Sequence, residues 1–251
     1  MIYKKSPEEI VTMRAAGKIL TDALDRLEEA LEPGITTAEL DRIAERVITA
    51  AGATPSFKGY RGFPASICTS PNEVIVHGIP GNRRLEDGDI ISIDVGVLHQ
   101  GFHADSAWTF PVGAVPAETA DLLKVTEESL NAAIEQCRPG NRLGDVGHAV
   151  QEVAEGAGYS IVREYVGHGV GRSLHEEPQV PNYGPPGRRE VLSPGMTLAI
   201  EPMVNIGGAA TKVLGDGWTV VTADGSLSAH FEHTVAITPQ GCQILTSRPT
   251  K

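Results

Sequence analysis

The feature that most constrains the fold is a set of marks repeated in the two halves of the chain. Pro33-Gly34 recurs as Pro139-Gly140, 106 positions later, and Leu85-x-x-Gly88-x-x-Ile91-x-Ile93-Asp94 recurs as Leu192-x-x-Gly195-x-x-Leu198-x-Ile200-Glu201, 107 positions later. Two unrelated kinds of mark sharing nearly one offset imply an internal duplication. Ser6-Pro7-Glu8-Glu9 is a capping box with proline at the first helical position, followed by apolar residues at one-face spacing (Ile10, Met13, Leu20, Leu24, Leu27, Leu31). Thr36 to Glu39 opens a second helix through Leu40, Ile43 and Val47 that stops at Gly52. Strand-like runs follow at Ala65 to Thr69, Val74 to Val76, Ile90 to Leu98 and Phe102 to Val112. The order then recurs: helices from Pro116 to Cys137 and Leu143 to Gly156, then strands at Ser160 to Val166, Met196 to Glu201, Thr219 to Thr222 and His230 to Thr238. This predicts an α+β fold of two αα-β halves, residues 1–113 and 114–251, related by an approximate two-fold and each ending a strand in a carboxylate.

Composition narrows the function. A chain of 251 residues can bury a real core as one unit. Its net charge of −11 has the wrong sign for holding a polyphosphate, which argues against a specific nucleic-acid ligand. Cys68, Cys137 and Cys242 cannot all pair internally and form no C-x-x-C, which suits a reducing compartment. The N-terminus has no apolar core of a signal peptide, and no run approaches 18 apolar residues, so the expectation is a cytoplasmic protein without membrane contact.

The chemistry lies in carboxylates that end apolar runs. Asp94 and Asp105 flank Leu98-His99-Gln100-Gly101, and folding that hairpin predicts them close to opposite one another, a pair that wants a cation or a shared proton. The alternative is that both border a solvated hairpin. Glu201 also ends an apolar run, and Pro202 after it stops sheet pairing. Glu232 is expected on one strand face with His230 and Thr234. Repeat symmetry would converge Asp94 and Asp105 with Glu201 and Glu232, and with His168 of Gly167-His168-Gly169 the set exceeds what one hard ion needs and suits two bridged metals.

These residues resemble the type 1 methionine aminopeptidases, in their short bacterial form, of the pita-bread metalloprotease fold. The likeness runs through Gly62-Phe63-Pro64-Ala65-Ser66, Asn72-Glu73-Val74, His77-Gly78-Ile79-Pro80, Asp94-Val95-Gly96, Gly101-Phe102-His103-Ala104-Asp105, Gly167-His168-Gly169, His175-Glu176-Glu177-Pro178, Ala199-Ile200-Glu201-Pro202 and Phe231-Glu232-His233-Thr234, essentially the whole chain. It implies a single catalytic domain over residues 1–251 with its halves around a central antiparallel sheet. Two divalent ions (Co, Mn, Fe or Zn) would be bridged by Asp105 and Glu232, with Asp94 completing one and His168 with Glu201 the other. The bridging hydroxide would be the nucleophile, Glu201 the proton carrier, His175 the donor to the developing oxyanion, and His77 a hydrogen-bond partner of the peptide. The family's methionine pocket falls on Phe57, Tyr60, Phe63, Cys68, His77, Leu174, His175 and Trp218. Leu174 stands where an aromatic is common, and Phe57 where some members have cysteine. Asn72, Val74 and Ser228 match a monovalent-cation loop. The implied activity is removal of the initiator methionine from nascent chains with a small second residue, by a monomer in transient contact with the ribosome.

Other readings are weaker on the same residues. Gly169-x-Gly171 lacks the third glycine of a nucleotide loop, because Leu174 stands there, and His175-Glu176-Glu177-Pro178 is no H-E-x-x-H helix, because Gln179 replaces the second histidine. His99, His103, His148, His230 and His233 are expected to be structural or exposed. A proline-specific peptidase or creatinase-like hydrolase would carry a further N-terminal domain, and a metal-free binding member would have lost ligands, whereas five of five are in place.

Overall fold

Each half begins with two helices whose ends fall where local chemistry puts them. In the computed structural model, which describes residues 1–248, these are α1 (Pro7–Ala30), α2 (Thr37–Ala50), α3 (Ala117–Gln136) and α4 (Leu143–Gly156). Both predicted capping boxes form. The Ser6 hydroxyl accepts the Glu9 N–H while the Glu9 carboxylate accepts that of Ser6, and Thr36 and Glu39 repeat the exchange. At α4 the Asp145 carboxylate accepts the Arg142 N–H at 2.7 Å.

The strands in chain order are β1 (Thr54–Pro55), β2 (Ile67–Pro71), β3 (Val74–Val76), β4 (Ile90–His99), β5 (Phe102–Pro111), β6 (Ser160–Ile161), β7 (Gly167–Gly169), β8 (Glu176–Val180), β9 (Thr197–Ile200), β10 (Met203–Asn205), β11 (Thr211–Val213), β12 (Val220–Thr222), β13 (Ser228–His230), β14 (His233–Thr238) and β15 (Gly241–Ile244). All their pairings are antiparallel. In the first half β4 lies between β2 and β5; in the second the order is β15-β14-β9-β7-β8. The two sheets meet along β5 and β14. There the Asp105 N–H donates to Thr234 Oγ1 (2.9 Å), Thr234 Oγ1 donates back to the Asp105 carbonyl (2.7 Å), and the Glu232 N–H donates to the Ala107 carbonyl (2.8 Å).

The duplication is visible in the backbone. The Gly34 N–H donates to the Leu85 carbonyl and the Gly140 N–H to that of Leu192, while Thr36 bridges Arg84 as Arg142 bridges Val191. Period-2 alternation then divides the faces. Ile91, Ile93, Val95 and Val97 of β4 pack with Leu20, Leu24, Leu27, Leu40 and Ile48 of α1 and α2, leaving Asp94 on the opposite face. Leu198 and Ile200 of β9 pack in the same way with Leu130, Val146 and Val150 of α3 and α4. The helices thus cover one side of the sheets, and the carboxylates occupy the other.

Three expected strands come out differently. The run from Ser160 to Val166 pairs as a strand only over Ser160–Ile161, because its partner β10 is a short segment between Pro202 and Gly207-Gly208. The run from Ala65 to Thr69 pairs from Ile67 onward. The run from His230 to Thr238 breaks at Phe231-Glu232, so Glu232 does not share a continuous strand face with His230 and Thr234.

Candidate functional site

The hairpin β4–β5 supplies the first two carboxylates. Its two-residue turn, Gln100 (φ 49°) and Gly101 (φ 83°), pairs His99 with Phe102, and that register sets Asp105 opposite Gly96 and Asp94 opposite Ala107. The aspartates are therefore diagonal neighbours on one face, close to opposite as the hairpin suggested and two positions off direct opposition. Their carboxyl groups are close enough for each to shift the other's protonation. Gly96 also makes room for the pocket wall, since a Cβ there would come 2.6 Å from the Phe57 ring.

The second half brings three more groups to the same place. Glu201 directly follows β9 as Pro202 ends the pairing, and its carbonyl accepts a hydrogen bond from Asn182 Nδ2 at 3.0 Å. Glu232 sits in the break between β13 and β14, 2% exposed. His168, on β7, donates through Nδ1 to the Gly169 carbonyl (2.8 Å), which leaves the Nε2 lone pair facing Asp105 Oδ2 at 3.8 Å and Glu201 Oε1 at 3.5 Å. Ligand atoms of Asp105, His168 and Glu232 all lie within 4.8 Å of one another.

This arrangement is electrostatically unsatisfied on its own. Burial raises the Asp94 carboxyl to about 7, and burial followed by the charges of neighbouring carboxylates holds Asp105, Glu201 and Glu232 well above the usual range. Burial also lowers His168 to about 4, keeping it a neutral imidazole. Asp94 Oδ1, Asp105 Oδ1 and Glu232 Oε1 are buried without a hydrogen-bond partner. Orphaned carboxylate oxygens around one neutral imidazole fit divalent cations, as an oxygen-rich donor set should.

Above this floor lies a cavity of about 210 Å³. Every residue named from the sequence for the metals, the catalytic roles and the methionine pocket lines it, Asp94, Asp105, His168, Glu201 and Glu232 at the floor and Phe57, Tyr60, Phe63, Cys68, His77, Leu174, His175 and Trp218 on the walls. Phe63 meets Trp218 edge-on with centroids 5.2 Å apart. His77, at φ 60°, is held edge-on between Tyr165 and Trp218, and burial lowers its pKa. The His175 ring stacks on Tyr60 (5.3 Å) and stands 4.2 Å from that of His168, with Nδ1 2.9 Å from the Tyr60 hydroxyl.

Sequence reasoning missed part of the lining. Arg61, Val76, Val166 and Met203 reach the cavity from positions directly beside the quoted motifs, and Tyr165 from one position further out, so adjacency to a motif was the signal that could have found them. His230, expected to be structural or exposed, is instead a wall residue, 2% exposed, with Nε2 unpartnered and 3.7 Å from Glu201 Oε2. Its proximity in sequence to Glu232 was the available signal. His103 and His233 do bond structural hydroxyls, Ser56 and Thr246. Of the expected cation loop, the Asn72 carbonyl accepts the Ser228 N–H at 3.0 Å, and the Ser228 hydroxyl is buried without a partner.

The sequence profile of metallopeptidase family M24 matches residues 11–239. The chain is 56% identical over 246 residues to methionine aminopeptidase 1 of Bacillus subtilis, covering 98% of this chain and 99% of that protein. Its structure matches that of methionine aminopeptidase from Rickettsia prowazekii with a TM-score of 0.97 at 43% identity, over 98% of this chain and 100% of the other. A prolidase from Pyrococcus furiosus also matches, with a TM-score of 0.80 at 24% identity over 98% of this chain and 66% of that one. This last likeness is one of fold, the pita-bread fold expected from the sequence.

Proposed function

The chain belongs to metallopeptidase family M24 and, within it, to the methionine aminopeptidases, and from that premise we propose that residues 1–251 form one catalytic domain that removes methionine ahead of a small second residue, using two divalent ions. Residues 249–251 lie outside the described residues. The observation that carries the reading is the convergence of three orphaned buried carboxylate oxygens and a free His168 Nε2 at the floor of a cavity with aromatic and aliphatic walls.

Asp94, Asp105, His168, Glu201 and Glu232 would hold the ions. Co, Mn, Fe and Zn all suit these donors. When bound, the ions supply a hydroxide nucleophile at neutral pH and polarise the scissile carbonyl. Glu201 accepts a proton and passes it to the leaving amine. His175 is neutral, because desolvation and then the neighbouring His168 pull it down to about 3, and so it acts as a hydrogen-bond donor rather than a cation. If the Tyr60 hydroxyl donates to Nδ1, the His175 proton resides on Nε2, free for the developing oxyanion. His77 holds the peptide that follows. Phe57, Tyr60, Phe63, Cys68, Leu174 and Trp218 enclose the thioether, with sulfur packing against aromatic edges. The loop of Asn72, Val74 and Ser228 would take a monovalent cation.

The substrates would be nascent polypeptides met in the cytoplasm, with the enzyme a monomer that touches the ribosome transiently. Among the described residues no helix is long and apolar enough to cross a membrane. The test is hydrolysis of Met-Ala-x, Met-Leu-x and Leu-Ala-x peptides with defined metals. Met-Ala-x should be cut fastest, and Met-Leu-x slower by at least about tenfold, since misfit in a closed pocket is worth roughly 1–3 kcal/mol. Equal rates on all three would reject the specificity.

A further inference from the structure

The loop between β7 and β8 carries both Leu174 and His175, so whatever fastens it sets where the imidazole stands. Much of that fastening comes from the N-terminal segment. Lys5 Nζ lies 2.5 Å from Glu176 Oε2, and the two side chains are 4% and 6% exposed. The other oxygen of Glu176 accepts the Ser173 N–H at 3.1 Å, closing the turn around Leu174 and His175. Lys5 is itself held: its N–H donates to the Gly195 carbonyl (2.7 Å) and its ammonium to the Tyr3 carbonyl (3.2 Å). The lysine stem passes where a side chain on Gly171 would be, since a Cβ built there falls 2.2 Å from Lys5 Cε. The Gly171 carbonyl in turn accepts the N–H of His103, two residues before Asp105.

We propose that Lys5 is a positioning residue for the reaction: its buried ion pair with Glu176 fixes the Ser173–Glu176 turn and, through it, the His175 ring over the metal-ligand cluster. A pair this far from water gains little net stability over an apolar pair of the same size, so its contribution is geometric. Glu176 adjoins His175 in the chain, and the His175 ring is only 4.2 Å from that of His168, so a small rotation of the turn moves the donor off its target. A second ion pair on the same loop, Arg172 with Glu9, is largely exposed on the arginine side and contributes little. The inference rests on the donor role of His175 given above.

The experiment is a double-mutant cycle on the full-length, Mn²⁺-loaded enzyme with Met-Ala-x, measured well below the unfolding temperature. Lys5→Met should lower kcat by about tenfold or more, the scale expected for ångström-level misplacement, with KM and bound metal little changed. In a His175→Ala background the same substitution should lower kcat no further. Arg172→Ala should keep the wild-type kcat. If Lys5→Met does not fold, Glu176→Gln, which retains an acceptor for Ser173, is taken through the same cycle. A kcat within twofold of wild type for Lys5→Met, beside a slow His175→Ala, would overturn this inference alone; so would an equal loss in both backgrounds, which marks a purely structural role. A His175→Ala enzyme as fast as wild type would overturn this inference together with the reading of His175.

Discussion

His175 shows how much of a residue's role is set by its neighbours. The imidazole type and its place in His175-Glu176-Glu177-Pro178 are plain in the sequence, but its stacking on Tyr60 and closeness to His168 arise from three separate segments. Its donor role predicts that His175→Ala lowers kcat by about a hundredfold or more, on the order of 2.7 kcal/mol of transition-state stabilisation, while metal content stays intact. Steady-state kinetics with metal analysis of the same preparation checks this, and loss of metal from the variant would make His175 a ligand instead. Asp94 and Glu201 were legible because each ends an apolar run, where a carboxylate is costly without a cation, while Asp105, Glu232 and His168 joined the proposed ligand set through the hairpin, the repeat and the glycine-flanked histidine. Tyr165, half-buried, was not legible, because nothing local beyond nearness to Gly167-His168-Gly169 marks it as a cavity wall, and His230 offered only its nearness in sequence to Glu232.

Among the elements, β7 was the least legible and is among the most consequential. Gly167 and Gly169 lie just beyond the strand-like run expected from Ser160 to Val166, yet glycine is what lets this strand lie backbone against backbone: a Cβ on Gly167 would come 2.3 Å from the Ala199 carbonyl oxygen, and one on Gly169 would come 2.3 Å from that of Glu177. Gly167→Ala should therefore push β7 off β9, costing about 1–3 kcal/mol as overpacking does, and should weaken metal binding because His168 rides on that strand. Urea unfolding of the metal-free protein and metal titration of the folded protein measure the two effects separately. The helices, by contrast, were readable to within a few residues, because capping boxes and Pro-Gly marks act locally. The diagonal offset of Asp94 and Asp105 depends on the turn geometry at Gln100-Gly101, which residue types alone do not specify.

For the molecule as a whole, the duplicated plan explains why the site lies where it does: each half contributes carboxylates to one shared face, and the repeat marks revealed that plan before any pairing was known. The same convergence makes stability depend on metal and pH together. A carboxyl raised to about 7, like Asp94, stabilises the metal-free fold fully below its unfolded value of about 4, and that stabilisation is lost as pH rises through 7. The buried histidines act in the opposite sense. His233, lowered to about 4 by burial, contributes stability above about 6.5 that is lost as pH falls toward 4. Metal relieves the carboxylate part and leaves His233 untouched, while His168 is already neutral at pH 6 and above, so the gain in Tm on adding Mn²⁺ should be larger at pH 8 than at pH 6, where protons compete for the same oxygens. Differential scanning calorimetry at the two pH values tests this; an equal gain would mean that the carboxylates are not the ligands. The central claim is that a free amino-terminal methionine is cleaved at this metal floor, and its most direct test is the rate on Met-Ala-x and on N-acetyl-Met-Ala-x as divalent metal is titrated back into chelated enzyme. Activity on the free peptide should rise from near zero with added metal while the acetylated peptide stays uncut, and efficient cleavage of the acetylated peptide, or full activity without metal, would contradict the account.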